Sequence, residues 1–382
     1  MKPLKILFVV TEDWYFCSHR LPLAVAAVRA GYEVAVVTRI TDRRKAIEEA
    51  GIRVIPLRHL RRSSLNPFRE FAAITELSAI FRRERPNLVH QVALKPALYG
   101  SLVANLIGIR AKVNALGGLG FIFSSNRLLA RLIRPFLLWL FRLIFNGKNG
   151  QLILQNDDDF SLVTTRAGVD RQRVRLIRSA GVDLEHYVAK EIPSGVPVVM
   201  LASRMLWDKG VGEFVSAARL LHEQGIDARF VLVGEPDPDN PFSVALEQLQ
   251  QWSDSGVVEW WGHRDDMPEV LSQAWVVCLP SYYGEGVPKV LIEAMACARA
   301  VVTTDMPGCR DVVRSGNNGL LVKPRDVDDL ASALKTFLLD RMRCIALGSA
   351  GRQIAEDEYA LSGVVKETLA VYEELLLAGA KR

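Results

Sequence analysis

Two α/β domains, each a parallel sheet wound on both faces by helices, are what this sequence predicts, and three observations predict them. A chain of 382 residues is too long for one ordinary hydrophobic core and suggests two domains, each somewhat below about 200 residues. Short apolar runs alternate with segments of helical length through both halves, which is the rhythm of parallel strands joined by crossover helices. Pro193, Ser194, Gly195 and Pro197 cluster between two copies of that rhythm and set a boundary near Glu185–Pro197. An apolar share of 49% and a charged share of 24% are those of a globular chain.

In the first copy Lys5–Val10, Glu33–Thr38, Val54–Leu57, Asn87–Val92, Ala111–Ala115, Gln151–Leu154 and Arg173–Ile177 read as strands. Leu4–Val10 runs directly into Thr11-Glu12-Asp13 without a small-residue cleavage site, so it reads as a first strand and not as a signal peptide. In the second copy the strands are Pro197–Ala202, Ala228–Val233, Val257–Trp260, Trp275–Leu279, Ala300–Thr304 and Leu320–Val322. The expected division is residues 1–188, residues 189–360, and a C-terminal helix, 361–382, packing back toward the first domain. Five cysteines (Cys17, Cys278, Cys297, Cys309 and Cys344), odd in number and without a C-x-x-C pair, fit a reducing cytoplasm better than a disulfide or zinc framework.

The net charge of +5 conceals a division. Residues 1–190 carry 30 Lys and Arg against 15 Asp and Glu, whereas residues 191–382 carry 18 against 28. A general positive field in the first half favours anionic lipid or a lipid diphosphate, at about 1 kcal/mol per basic residue near a charged membrane surface. Nucleic acid is the competing partner for a basic half, but no helix-turn-helix, RNP-like or zinc-finger pattern accompanies it.

Open parallel sheets bind ligands beyond the carboxyl ends of their strands. In the first half those ends offer Thr11–Arg20 with His19 and Arg20, His90, and the glycine-rich Leu116–Gly120, whose glycines permit close backbone approach. A single histidine at a strand end is as readily a satisfied structural residue as a ligand contact. Asn126–Phe145 (NRLLARLIRPFLLWLFRLIF) places Arg127, Arg131, Arg134 and Arg142 within about 80° of one another on a helix and leaves a broad Leu/Ile/Phe/Trp surface. It should not cross a bilayer, because Arg131 and Arg134 would sit inside the span at ~2.5–3.5 kcal/mol each. Two readings stay open: a helix lying in the membrane interface, or a crossover helix with its arginines in water. Pro135 would kink it. Asp157, Asp158 and Asp159 follow a strand and open a helix, where they cap N–H groups, and are not read as metal ligands.

The second half concentrates its signals in Pro280–Val302, PSYYGEGVPKVLIEAMACARAVV. A strand enters a glycine-containing loop, and Pro288 starts a helix at its first position. Backbone N–H groups at such a helix end, around Gly286 and Val287, make a phosphate site. Glu285 precedes that helix and Glu293 lies inside it among Leu291, Ile292, Ala294, Met295 and Ala296. A carboxylate with such neighbours needs a partner, either a ligand or an arginine at the edge of the core. Upstream, Ser203–Gly210 (SRMLWDKG) follows a strand and contributes Arg204 and Lys209.

PSYYGEGVPKVLIEAMA, the preceding SRMLWDKGVGEF and the following TTDMPGCRDVV and NGLLVKPRD resemble the donor-binding half of glycosyltransferase family 4. The first half, through weaker motifs, resembles the members that extend polyprenyl-diphosphate-linked sugars in bacterial surface glycan or glycoprotein assembly. The resemblance implies the GT-B fold of two facing Rossmann-like domains, a retaining reaction and a nucleotide-sugar donor, with UDP expected as the nucleotide. It implies no cofactor and no metal, so that Arg204, Lys209 and helix N–H groups meet the charge growing on the departing diphosphate. By the same resemblance Glu293 holds the ribose, Glu285 orients the donor sugar, His90 contacts that sugar from the other domain, and Arg264 in Gly262-His263-Arg264 meets the base. Two departures are visible: Gly284 and Ala298 stand where relatives often have Arg and Gly, and EDWYFCSHR replaces the usual Gly-Gly turn after the first strand.

The expected function is transfer of a hexose or N-acetylhexosamine from a nucleotide sugar to a lipid-diphosphate-linked saccharide on the inner face of the cytoplasmic membrane. Two alternatives are a nucleotide-sugar epimerase of the same build, which needs no lipid acceptor, and a non-catalytic membrane-associated binding protein. Finding an epimer after incubation with UDP-sugar alone would select the first, and undetectable turnover with every donor the second.

Overall fold

Strands buried on both faces of a parallel sheet read as unbroken apolar runs, and each of the thirteen runs above overlaps a strand in the computed structural model, with ends differing by up to two residues. The structure describes residues 3–62, 66–119, 128–147 and 149–380. These form two units, one made of Met1–Ala180 with Ser362–Arg382, the other of Gly181–Leu361.

The first unit holds β1 (Lys5–Glu12), β2 (Glu33–Arg39), β3 (Arg53–Pro56), β4 (Leu88–Val92), β5 (Ala111–Ala115), β6 (Gly150–Leu154) and β7 (Val174–Leu176). They pair in parallel in the order β3-β2-β1-β4-β5-β6-β7, with Phe8 opposite His90 and His90 opposite Val113. Alternation along β1 sends Ile6 and Phe8 to one core, with Tyr372 and Leu375 of the helix Leu361–Ala380, and Leu7 and Val9 to the other, with Leu77 and Phe81. The second unit holds β8 (Val198–Ala202), β9 (Arg229–Val233), β10 (Glu259–Trp260), β11 (Val276–Leu279), β12 (Ala300–Thr304) and β13 (Gly319–Val322). Their order is β10-β9-β8-β11-β12-β13, again parallel. Each sheet therefore reverses its winding once, between β1 and β4 and between β8 and β11. These reversals are the topological switch points at which such sheets receive ligands.

Several local expectations gain a physical form. The helix that the aspartates open is capped by Asn156, which accepts from the amide of Asp159 at 2.7 Å, while the Asp159 carboxylate accepts from Leu119 N at 3.2 Å and Asn156 Nδ2 at 2.9 Å and so ties the cap to the loop after β5. Pro288 is the residue before the helix Lys289–Ala296, one position earlier than expected. Ala298 adopts φ +56° just past the end of that helix, where the missing glycine leaves a cost of about 1 kcal/mol. Arg299 is fully buried and donates to the carbonyls of Cys297 (2.9 Å), Ala274 (3.2 Å), Glu191 (3.3 Å) and Lys190, fastening residues 190–191 to the sheet.

The helix Leu128–Phe145 is continuous through Pro135. Leu137, Phe141, Ile144 and Phe145 pack inward with Leu152 and Leu154 of β6. Its outward side is apolar as well: Leu132, Phe136, Trp139 and Leu143 are 57–69% exposed. Arg131 and Arg142 are also exposed. Arg127 and Asn126, like Gly120 of the glycine-rich loop, lie outside the described residues. No described helix is long and apolar enough to cross a membrane.

Candidate active site

At the switch point of the second unit the loops leaving β8 and β11 are locked together. Ser281 Oγ and Tyr282 N both donate to the carbonyl of Asp208 at 3.1 Å. Thr303 Oγ1 donates to Leu279 O at 2.6 Å, and Thr304 Oγ1 to Ser281 O, so the strand beside β11 holds the start of its loop. Two glycines permit the crowding. A Cβ on Gly210 (φ +77°) would stand 2.2 Å from Pro280 O, and one on Gly308 (φ +83°) would stand 1.9 Å from Gly286 O. Sequence reading missed Gly308, because nothing local signals that its loop lies against Glu285-Gly286.

This packing brings Lys209 and Glu285 together. Their Nζ and Oε2 are 2.5 Å apart, with side chains only 15% and 12% exposed. A largely desolvated pair at a switch point has a strong field and little water to screen it. Asp208 beside it is pushed above the usual carboxylate range, first by burial and also by the charge of Glu285. Arg204, expected to act with Lys209, is instead held by Asp237 of the loop after β9, Nη1 to Oδ2 at 2.5 Å. Asp237 carried no sequence signal, being 33 residues away. Arg264 forms a two-pronged contact with Asp266 at 2.7 and 2.5 Å on the exposed loop after β10.

Glu293 is buried, and its partner is not the arginine that the sequence left open. Tyr187 donates its hydroxyl to Oε1 at 2.8 Å, and Lys289, one turn earlier, stands 2.9 Å away. Burial and the charge of Glu293 both push the Tyr187 phenol up, so it stays protonated and remains the donor. Gly286 and Val287 follow Glu285 in the same loop, directly before the glutamate helix. The structure thus groups Lys209, Glu285, Gly286 and Val287, with Glu293 along the following helix, and gives Arg204 and Arg264 acidic partners of their own.

His90 does not fit the contact expected of it. Its ring is fully buried on β4, stacked on Phe8 with centroids 4.9 Å apart, and its Nδ1 is hydrogen-bonded to the hydroxyl of Tyr372. Burial, helped by the charge of Arg20, keeps it well below the usual histidine range and hence neutral. In this structure the ring is part of the core of the first unit, turned onto Phe8 and Tyr372, and no open surface of it is left for the expected sugar contact.

Residues 196–340 match the family described as glycosyl transferases group 1, and residues 5–156 match glycosyl transferase 4-like proteins. A relative from Campylobacter jejuni, named N,N'-diacetylbacillosaminyl-diphospho-undecaprenol alpha-1,3-N-acetylgalactosaminyltransferase, is 27% identical over 370 residues, 94% of this chain and 95% of its own. An Escherichia coli UDP-Gal:alpha-D-GlcNAc-diphosphoundecaprenol alpha-1,3-galactosyltransferase is 24% identical over 293 residues, 73% of each chain. Among solved structures, Anabaena Alr3699/HepE in complex with UDP and glucose superimposes with a TM-score of 0.77 at 18% identity, covering 97% of this chain and 99% of that one. With both domain types matched in their own halves, and each half a Rossmann-like parallel-sheet domain of the kind found in GT-B structures, the chain belongs to the family 4 glycosyltransferases.

Proposed function

We propose that this glycosyltransferase moves a sugar from a UDP-sugar to a polyprenyl-diphosphate-linked saccharide, with retention at the anomeric carbon. The observation that carries the donor half is the desolvated Lys209–Glu285 pair at the β8–β11 switch point. Lys209 would meet the charge that grows on the departing diphosphate, aided by amide groups around Gly286 and Val287. Glu285 would hold Lys209 in place and face the donor sugar. Glu293, paired with Lys289 and oriented by Tyr187, suits the two hydroxyls of a ribose. Arg204 would join the diphosphate on leaving Asp237, and Arg264 would line the base. These cations supply what a divalent ion provides elsewhere, so the reading needs no metal. Names of the Campylobacter and Escherichia coli relatives support a diphosphoundecaprenol-linked acceptor. The Anabaena complex supports UDP as the nucleotide.

A panel of nucleotides and nucleotide sugars tested for protection against thermal unfolding decides the donor. UDP and one UDP-sugar are expected to raise the midpoint, by ~2.7 kcal/mol of added stability at one hundred times Kd. GDP- or ADP-sugars protecting in their place would reject UDP.

The same reading places the enzyme at the inner face of the cytoplasmic membrane, through the outward Leu132, Phe136, Trp139 and Leu143 of its arginine-bearing helix. Such a face suits insertion at headgroup depth, with Arg131 and Arg134 on lipid phosphates. Arg131→Glu/Arg134→Glu is expected to cut sedimentation with anionic vesicles by at least about tenfold, two charge reversals being worth ~2 kcal/mol or more. Unchanged sedimentation would return the stripe to water.

A further inference from the structure

The switch point of the first unit contains a charge without a counter-charge. β1 leads into the helix Asp13–His19 and then Leu21–Arg29, and Arg20 is the residue between them. Its side chain is only 5% exposed. Among the described residues no carboxylate pairs with it, and its Nε is buried without a hydrogen-bond partner. Burial lowers the guanidinium below its usual range, although it remains charged at neutral pH.

Every neighbour identified around it is neutral or already committed. Tyr15 and Tyr372 are phenols, and burial pushes the latter up. His90 is held neutral, in part by Arg20 itself, and its Nε2 is a second buried polar atom without a partner. Asp13, the acid seven residues before it, accepts from Thr41 N (2.7 Å), Thr41 Oγ1 (2.5 Å), Arg43 N (3.1 Å) and Trp14 N (2.8 Å). Glu12 stands 3.7 Å from Arg39. No side chain caps the helix Leu21–Arg29, whose first N–H groups add partial positive charge at the same point. A fold retains a buried, unpaired guanidinium at high cost, and a bound anion removes that cost.

We propose that Arg20, with the uncapped start of Leu21–Arg29, is the anion-recognising element of the first unit and receives the diphosphate of the lipid-linked acceptor. This rests on the transferase reading above and adds the group by which that acceptor is recognised. The planar fork of an arginine matches a phosphate in two-pronged fashion. Tyr15, Tyr372 and the neutral His90 are the titratable groups beside it, and with Arg20 almost wholly buried such a contact is little screened.

The test uses the full-length chain with UDP present to fill the donor site, and inorganic pyrophosphate as the probe. Pyrophosphate is expected to raise the unfolding midpoint further in the wild type, not at all in Arg20→Gln, and partly in Arg20→Lys. An added shift that survives in Arg20→Gln overturns the proposal. In transfer assays the preference for a diphosphate-linked acceptor over the same saccharide as a neutral alkyl glycoside is expected to fall about 10- to 100-fold in Arg20→Gln; an unchanged preference overturns it. Phosphatidylglycerol vesicles should sediment both proteins equally, and a loss confined to Arg20→Gln would show that bilayer phosphates are read instead. Removing an unpaired buried charge should leave the midpoint of ligand-free Arg20→Gln at or above that of the wild type, and a fall of more than about 5 °C would mark Arg20 as structural and overturn the proposal. If UDP gives no shift in the wild type, the donor reading fails, while the pyrophosphate comparison still decides Arg20.

Discussion

Lys209→Met and Glu285→Gln are each expected to reduce sugar transfer by at least ~100-fold, the scale on which loss of one preorganised group at a developing charge is felt. Each single change also strands a largely buried charge, so stability should fall by about 1–3 kcal/mol. That loss confuses the activity measurement, and the double variant separates the two effects. Lys209→Met/Glu285→Gln leaves neither charge behind and should recover most of the lost thermal midpoint while remaining inactive. Were the contact at 2.5 Å only a brace between the β8 and β11 loops, the neutral pair would brace them nearly as well and transfer would return. Recovery of activity in the double variant would therefore remove Lys209 and Glu285 from the chemistry.

Arg299→Met is expected to destabilise the chain by at least about 3 kcal/mol, seen as a lower midpoint in urea. The methionine fills most of the volume but donates nothing to the carbonyls of Cys297, Ala274, Glu191 and Lys190. Each acceptor left dry costs about 1–3 kcal/mol. Arg299→Lys, with one compact head in place of the fork, should recover only part of the loss. A change below about 1 kcal/mol in Arg299→Met would mean that these carbonyls find water, and that residues 190–191 are not fastened by this side chain.

The strands were legible because parallel sheets covered on both faces demand unbroken apolar runs, as in Val198–Ala202 and Ala300–Thr304, where every residue is buried. Glu285, Glu293, Arg204 and Lys209 stood out as charged residues at strand ends or within apolar surroundings. Their pairings did not, because Lys209 and Glu285 are 76 positions apart and Tyr187 and Glu293 are 106 apart. Periodicity found the amphipathic helix near Arg131 but not its second apolar face. A helix with Leu, Ile, Phe or Trp on most sides does not declare which side meets the sheet. His90 misled for the opposite reason. Read as ending its strand, it lies in the middle of β4 (Leu88–Val92), and which way its ring turns is set by Phe8 and Tyr372, one 82 residues before it in sequence and the other 282 after.

Tyr372 has a consequence for biosynthesis. As the chain emerges from the ribosome, β1 and β4 are made early, yet the side chain that closes over His90 is made only after the whole second unit. The first unit must wait, with Phe8 and its neighbours incompletely covered, while Gly181–Leu361 can fold as soon as it is translated. Order of completion is thus the reverse of order of synthesis, and the nascent N-terminal sheet is where a holding chaperone has most to protect.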